Sequence, residues 1–423
     1  MGRAQRILVL GLNYAPETTG IAPYTASFAR GMAARGSRVR VVTTFPHYPQ
    51  WRFDPLSPPW STSETRDAVR VDRRRHYVPR RPTVGKRLLS EMSFGIRVLV
   101  SRWGRPDLLV LVSPAMFASG LALLRARLMN PKTTVITWVQ DLYSLGVVET
   151  AQGGSVAARV VSAIESALLR NSDSVVVIHD RFADHVVNRL GVPRSQVDVV
   201  RNWTHLPEPT AVDRPSIRAR FGWADDEIIA LHAGNMGAKQ GLENVILAAR
   251  MADEKSLPIR FVLMGDGNRR DELVRASQGV RRLEFMKPVS DAQFQPLLAS
   301  ADVLLVNELP GVAGMAVPSK LTSYFSTGRP VVAATGTGSV TESEVRAAGG
   351  LTVPAADPKM LLEALMHVGQ DRDLAQRIGA AGLQFRDQYL SEDGALDRYA
   401  RLLARLVPRR VPSTTQAGSD ALH

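Results

Sequence analysis

Short apolar runs alternate along this chain with longer stretches in which apolar positions recur every three or four residues. In the first half the short runs fall at Arg6–Leu10, Val39–Thr43, Leu108–Val112, Thr134–Val139 and Ser174–Ile178. In the second half they fall at Ile228–His232, Arg260–Met264, Leu283–Phe285, Asp302–Val306, Pro330–Ala334 and Gly350–Val353. Such runs predict buried strands. The segments between them, for example Ala22–Arg35 and Gly241–Ala252, predict helices. In the first of these Tyr24, Phe28 and Met32 fall four apart and share one face. Alternating strands and helices predict parallel sheets covered by helices on both sides.

The pattern starts twice, at Ile7 and again at Ile228, after a Pro-containing stretch from Leu206 to Pro215. Two doubly wound domains are therefore expected, over 1–205 and 216–385. Ligands in such domains bind at the carboxyl ends of the strands, so two domains facing each other would hold a ligand in a cleft. A helix over 386–407 is expected to pack back on the first domain. The tail 408–423 is rich in Pro, Ser, Thr and Gly and is expected to be disordered.

Composition narrows the class. The chain has 423 residues and no cysteine, which removes disulfides and thiolate metal sites. The apolar run at Ile7–Leu10 is too short for a secretory signal, and no run approaches the roughly 18 apolar residues of a spanning helix. A cytoplasmic protein is expected. The net charge of +13 favours polyanionic partners, and it is concentrated. Between Arg66 and Arg105 there are twelve Lys or Arg against three acids.

The densest chemistry lies in Val317-Pro318-Ser319-Lys320-Leu321-Thr322-Ser323-Tyr324-Phe325-Ser326-Thr327-Gly328-Arg329-Pro330. Ser319 suits an N-cap, Gly328 suits a C-terminal stop, and Pro330 prevents continuation. A short helix whose N-terminus and Lys320 face a ligand would bind an anion. The same pattern also describes an ordinary capped helix. No nucleophile elbow, P-loop or dinucleotide fingerprint occurs, so ATPase and dehydrogenase readings lack support.

This segment, together with "ILVLGLNYAPETTGIAPYTASFARGMAARGSRVRVVTTFPHYP", "WVQDLYSLG", "VVRNW", "LHAGNMGAKQGLENVILAA", "FVLMGDGNRRDEL" and "GGLTVPAADPKMLLEAL", resembles the retaining GT-B glycosyltransferases called group 1 or family 4. The resemblance covers roughly 5–385 and is nearest to the branch that builds colanic acid, O-antigen and capsular polysaccharides. It implies two Rossmann-like domains and front-face transfer of a sugar, with retention, from a nucleoside-diphosphate sugar to a polyprenyl-diphosphate-linked acceptor. The departing diphosphate would take the acceptor proton. No cofactor and no metal would be required, since Asp371-Arg372-Asp373, the one Asp-x-Asp triplet, sits late in a surface-like helix.

The same resemblance implies residue roles. Gly20 would let the backbone approach the reacting centre, and Asp141 would orient the donor sugar. Lys239, Ser319 and Lys320 would neutralise the diphosphate. Gly234, Asn235, Gly237, Gly265, Gly267, Val289 and Pro318 would shape the donor pocket. Two departures stand out: Asn235 replaces a common Arg, and Met315 and Ser323 stand where many relatives carry two glutamates. Glu308 is a weak substitute. The missing pair leaves open a non-catalytic, membrane-docked nucleotide-sugar-binding subunit. A nucleotide-sugar epimerase is a nearer alternative.

The basic stretch completes the expectations. Arg74, Arg75, Arg80 and Arg81 precede Leu88, Leu89, Met92, Ile96, Leu99 and Trp103, which fit one helical face. Basic residues beside an apolar face with a Trp suit an anionic membrane surface. An acceptor or inner-leaflet contact is expected there. A core-facing helix beside a solvated loop is the alternative, and no nucleic-acid module accompanies the charge.

Overall fold

The computed structural model describes residues 4–17, 20–48, 50–53, 58–81, 83–144, 156–206, 212–311 and 319–407. It divides into two compact units: Met1–Tyr143, Arg159–Val200 and Leu396–His423 form one, Ser144–Ala158 and Arg201–Ala395 the other. Part of the expected linker and the whole expected tail lie outside the described residues.

In the first unit the order is β1 (Arg6–Leu10), α1 (Ala22–Ala34), β2 (Arg38–Thr44), β3 (Ser61–Arg66), β4 (Val69–Arg74), α2 (Val84–Leu99), β5 (Leu108–Val112), α3 (Met116–Met129), β6 (Thr134–Val139), α4 (Val156–Arg170), β7 (Ser174–Val177), α5 (Asp180–Asn188) and β8 (Val197–Val199). The sheet runs β3-β4-β2-β1-β5-β6-β7-β8, parallel except for β3 against β4. Chain order reverses around β1, so the loops after β1 and β5 diverge at the carboxyl edge. One face is closed by α2, α3 and α4, through Phe94, Val98, Ala122 and Leu168.

Strands β3 and β4 were not expected. Strand β4 falls inside the basic stretch Arg66–Arg105, and β3 ends where that stretch begins. Two buried groups inside the sheet carry its charge with their hydrogen bonds made. Asp72 is fully buried and accepts hydrogen bonds from Ser63 and Arg40. Arg73 is buried and donates to the carbonyls of Thr44 and Ala15, at 3.1 and 2.6 Å. A buried charge is tolerable when its hydrogen bonds are complete in this way.

The second unit continues with α6 (Arg214–Arg220), β9 (Ile228–Ala233), α7 (Glu243–Glu254), β10 (Ile259–Met264), α8 (Arg270–Ala276), β11 (Leu283–Met286), α9 (Asp291–Ser300), β12 (Val303–Asn307), α10 (Lys320–Phe325), β13 (Val331–Thr335), α11 (Val340–Ala347), β14 (Leu351–Pro354), α12 (Pro358–Gln370), α13 (Arg372–Tyr389) and α14 (Glu392–Leu406). Its sheet is wholly parallel, in the order β11-β10-β9-β12-β13-β14. Every residue of β9, β12 and β13 is buried, as two-sided coverage requires. From Leu396 onward α14 belongs to the first unit. Tyr399 packs edge-on against Phe28 and Trp138, at centroid distances of 5.0 and 5.3 Å.

Candidate functional site

In the second sheet the order reverses at β9 and β12, and the predicted donor residues lie on the loops at the carboxyl edge, after β9, β10, β11 and β12. Three of these loops are stitched together by backbone hydrogen bonds. Gly234 N–H donates to Met264 (2.9 Å), Met236 N–H to Asp266 (2.8 Å) and Gly265 N–H to Met286 (3.0 Å). The close approach explains the glycines. Gly265 has φ +147°, and a Cβ there would collide with the Gly234 carbonyl. Gly267, at φ +158°, would strike the Met236 carbonyl. Gly237 N–H donates to the Gln240 side chain at 3.0 Å. Asn307 then bonds the Gln240 and Gly241 carbonyls, both at 2.8 Å, and accepts from Asn244 at 2.9 Å. Gly234, Asn235 and Lys239 stay exposed on this rigid edge. Val289 is different: its side chain packs on the core, which leaves only its main chain at the strand end.

Lys320 opens α10 and turns inward. Its Nζ lies 3.2 Å from Nε2 of His232, a fully buried residue of β9. A Cβ on Gly234 would sit 3.5 Å from both Cε and Nζ of this lysine, so the amine lies against the Gly234 main chain. Burial pushes the Lys320 amine down to about 7, with Glu308 opposing. The Glu308 carboxylate is itself held by Thr335 and by Thr341, the latter at 2.5 Å. Tyr324, one turn along α10, is fully buried and accepts from Ala233 N–H at 2.8 Å. Helix α10 is thus pinned to the end of β9 at two points.

The expected cap is not made. Ser319 has helical dihedrals and no side-chain capping bond; its carbonyl accepts from Thr322 at 2.7 Å. Helix α10 has six residues. The local positive charge therefore comes from the Lys320 side chain more than from a macrodipole. Pro318 and Met315 lie outside the described residues, and Ser323 is half-buried on α10. Asp371 is the N-cap of α13, accepting from Leu374 N–H at 2.9 Å.

In the first unit Gly20 and Asp141 both lie at the carboxyl edge of the sheet, after β1 and β6. Gly20 has φ +64° and faces the ring of Tyr48. Glu17, buried beside it, fixes the neighbouring segment by accepting from the N–H groups of His47 (2.8 Å) and Tyr48 (2.9 Å). Asp141 is exposed. Its carbonyl accepts from Ser113 at 2.7 Å, and its carboxylate accepts from Leu142 N–H at 2.9 Å. Two residues on, Tyr143 donates its hydroxyl to Glu91 of α2 and its N–H to Glu165 of α4, the latter at 2.8 Å.

Residues 19–203 match the family described as Glycosyl transferase 4-like domain, and residues 227–371 match Glycosyl transferases group 1. The protein named colanic acid biosynthesis glycosyl transferase WcaI, from Escherichia coli (strain K12), is 34% identical over 339 residues, which is 76% of this chain and 81% of that protein. The chain belongs to the group 1 glycosyltransferases. Glycosyltransferase WbjE of Pseudomonas aeruginosa is 26% identical over 318 residues, 73% of this chain and 77% of that one. Among solved structures, sucrose-phosphate synthase from Thermosynechococcus elongatus superposes with a TM-score of 0.73 at 18% identity, over 95% of this chain and 99% of that one. Anabaena HepE in complex with UDP gives 0.68 at 14% identity, over 95% and 100%. These likenesses establish the GT-B fold.

The basic region of this glycosyltransferase is corrected in part. Trp103 is buried, with Nε1 donating to Val98 at 3.0 Å and the Arg125 guanidinium 4.2 Å above its ring; it is a core residue, not a surface anchor. Arg74 is tied to Ser101 at 3.2 Å, and Arg75 reaches the Pro58 carbonyl and the ring of Trp60. Arg80 and Arg81 are exposed. The apolar face expected on α2 is not its inner one: Leu89, Met92 and Ile96 are 57%, 42% and 54% exposed, whereas Phe94 and Val98, which were not assigned to it, point inward. No helix among the described residues is long and apolar enough to cross a membrane.

Sequence reasoning missed His232, Glu91 and Tyr143. His232 was visible only as the single polar member of an apolar strand, and Tyr143 only as part of the "WVQDLYSLG" segment.

Proposed function

We propose that this glycosyltransferase moves a hexosyl or N-acetylhexosaminyl unit, with retention, from a nucleoside-diphosphate sugar to a polyprenyl-diphosphate-linked saccharide in cell-surface polysaccharide synthesis. The carrying observation is the Lys320 amine, held between His232 and the Gly234 main chain where β9 and β12 diverge. A cation fixed beside exposed, glycine-lined backbone suits a departing diphosphate. Lys239 on the same edge adds charge, and Ser319 adds a hydroxyl. Gly20 leaves room at the reacting centre and Asp141 orients the sugar. Two names support the substrate class: HepE was solved with UDP, and WcaI is named for colanic acid biosynthesis. The resemblance supplies retention, the lipid-linked acceptor and independence from metal.

The acceptor's lipid would bring the enzyme to the inner face of the cell membrane. The exposed stripe Leu89, Met92 and Ile96, with Arg80 and Arg81 nearby in sequence, is the surface suited to that contact. The test is a thermal-shift screen of UDP-, GDP- and ADP-sugars without metal, on wild type and Lys320→Ala. A ligand at 100 times its Kd adds about 2.7 kcal/mol. Stabilisation by one nucleotide class, lost in Lys320→Ala, supports the reading and names the base. Binding without transfer to any polyprenyl-diphosphate sugar would favour the non-catalytic subunit, which the serine at 323 keeps in play.

A further inference from the structure

We propose that His232 is the positioning residue of the donor-phosphate site, holding the Lys320 amine against the Gly234 main chain by accepting its hydrogen bond. The inference rests on the donor-site reading above and assigns a role to a residue with none. His232 is fully buried in β9, where an imidazole has no packing advantage over the Leu and Ile around it. Burying a polar ring costs free energy unless it is hydrogen-bonded. Among the described residues the ring makes one hydrogen bond, between Nε2 and the Lys320 amine, and its buried Nδ1 makes none. In the neutral tautomer that carries its proton on Nδ1, Nε2 is an acceptor for an ammonium. Burial and the adjacent lysine hold the ring well below the usual histidine range, so it remains a neutral acceptor.

The geometry also says why a histidine serves. Lys320 begins a short helix on a separate loop, 88 residues away in sequence, and a lysine side chain has many rotamers. Tyr324 fixes the helix against Ala233, but it does not fix the amine. His232 does, from the strand directly beneath. Among the described residues, the ionisable groups facing the amine are His232 from β9 and Glu308 from the end of β12. Above about pH 7 burial disfavours the ammonium, with Glu308 opposing. A bound diphosphate supplies the missing negative charge, so Lys320 takes up a proton as the nucleotide binds.

Titration calorimetry of UDP, GDP and ADP into the full chain, from pH 6 to 9 and in two buffers of different ionisation enthalpy, tests this. Wild type should bind one nucleotide with proton uptake above about pH 7, and Lys320→Ala should abolish that uptake. His232→Leu removes the acceptor that favours the ammonium. Its affinity should fall about tenfold at pH 8 and by less near pH 6, where the amine stays protonated without the acceptor and only the loss of positioning remains. A merely structural defect would weaken binding equally at every pH. His232→Gln keeps an acceptor and should recover most of the affinity; it also keeps the test alive if His232→Leu misfolds. Wild-type affinity and pH profile in both His232 variants, with Lys320→Ala impaired, overturn the positioning role alone. If no nucleotide binds wild type, or Lys320→Ala binds normally, the donor-site reading itself falls.

Discussion

The carboxyl of Glu91, on α2, accepts the hydroxyl hydrogen of Tyr143, which lies two residues past Asp141. Its other oxygen accepts Phe117 N–H at 3.4 Å, and the side chain is buried. Burial raises the Glu91 carboxyl to about 7, against the hydrogen bonds from Tyr143 and Phe117, which favour the anion. An acid raised in the folded state stabilises fully below its unfolded value and loses that stability as pH rises through the folded one. From about pH 4.5 to 7 the unfolded chain releases this proton and the folded chain keeps it. Glu91→Gln cannot ionise and retains an acceptor for Tyr143. Its stability relative to wild type should therefore grow by roughly 1–3 kcal/mol between pH 5 and 8. Thermal unfolding at four pH values reads this, and a pH-independent difference would show that the carboxyl does not titrate there.

Gly265→Ala should cost more than 2 kcal/mol, an order-of-magnitude figure, and abolish nucleotide binding. The added methyl would drive into the Gly234 carbonyl and part the loops after β9 and β10 beside Lys320. Gly279→Ala is the matched control. Its φ is +81° but nothing lies within 4 Å, so only backbone strain of about 1 kcal/mol is expected. Urea unfolding compares the two. Equal losses would mean that backbone conformation, rather than close approach, selects glycine at 265.

Much of the fold was legible because buried parallel strands write themselves as apolar runs, and the runs at β1, β9 and β12 left little choice. Strands β3 and β4 were not legible. Ser61–Arg66 is exposed at every position, and β4 mixes Val69 and Val71 with Asp72 and Arg73. What makes these charges compatible with a sheet is pairing with Arg40, Ser63 and Thr44, distant in sequence. The site divided similarly. Glycines and Lys320 stood out by local pattern, whereas His232 acquires meaning only when α10 is laid over β9. Trp103 was misread because the helical spacing was carried past the end of α2 at Leu99; the residue lies beyond the helix and packs into the core.

On α2 the outward stripe predicts membrane contact. Changing Leu89, Met92 and Ile96 together to Gln should reduce sedimentation with vesicles of phosphatidylglycerol and phosphatidylethanolamine about tenfold, through lost apolar burial. Unfolding stability should change by less than about 0.5 kcal/mol per site, because these residues are already exposed. Arg80→Gln with Arg81→Gln should weaken binding mainly at low salt, where screening is least. Vesicle binding unaffected by the apolar triple change would remove α2 as the docking element.

His76 predicts the acid limit of the first unit. Its ring is buried, with neither nitrogen bonded, among His47 at 4.9 Å, Phe53 at 5.8 Å and Phe94 at 6.1 Å. Burial, with His47 adding to it, holds His76 well below the usual range. As pH falls past about 6.5 the unfolded chain takes up a proton that the folded ring refuses, so stability is lost with acid. His76→Phe offers a similar shape to the same aromatic neighbours without a titrating group. It should move the acid-unfolding midpoint, followed by circular dichroism, to lower pH, with no loss at pH 8. His47 shares the environment but is bonded to Thr44 and Phe45 and lies 3.4 Å from Glu17, which opposes its shift. Its replacement by Phe should instead destabilise at every pH, since the threonine and the glutamate lose a partner. If both variants shift the acid midpoint alike without loss at pH 8, the unpaired nitrogens of His76 are not what limits the fold in acid.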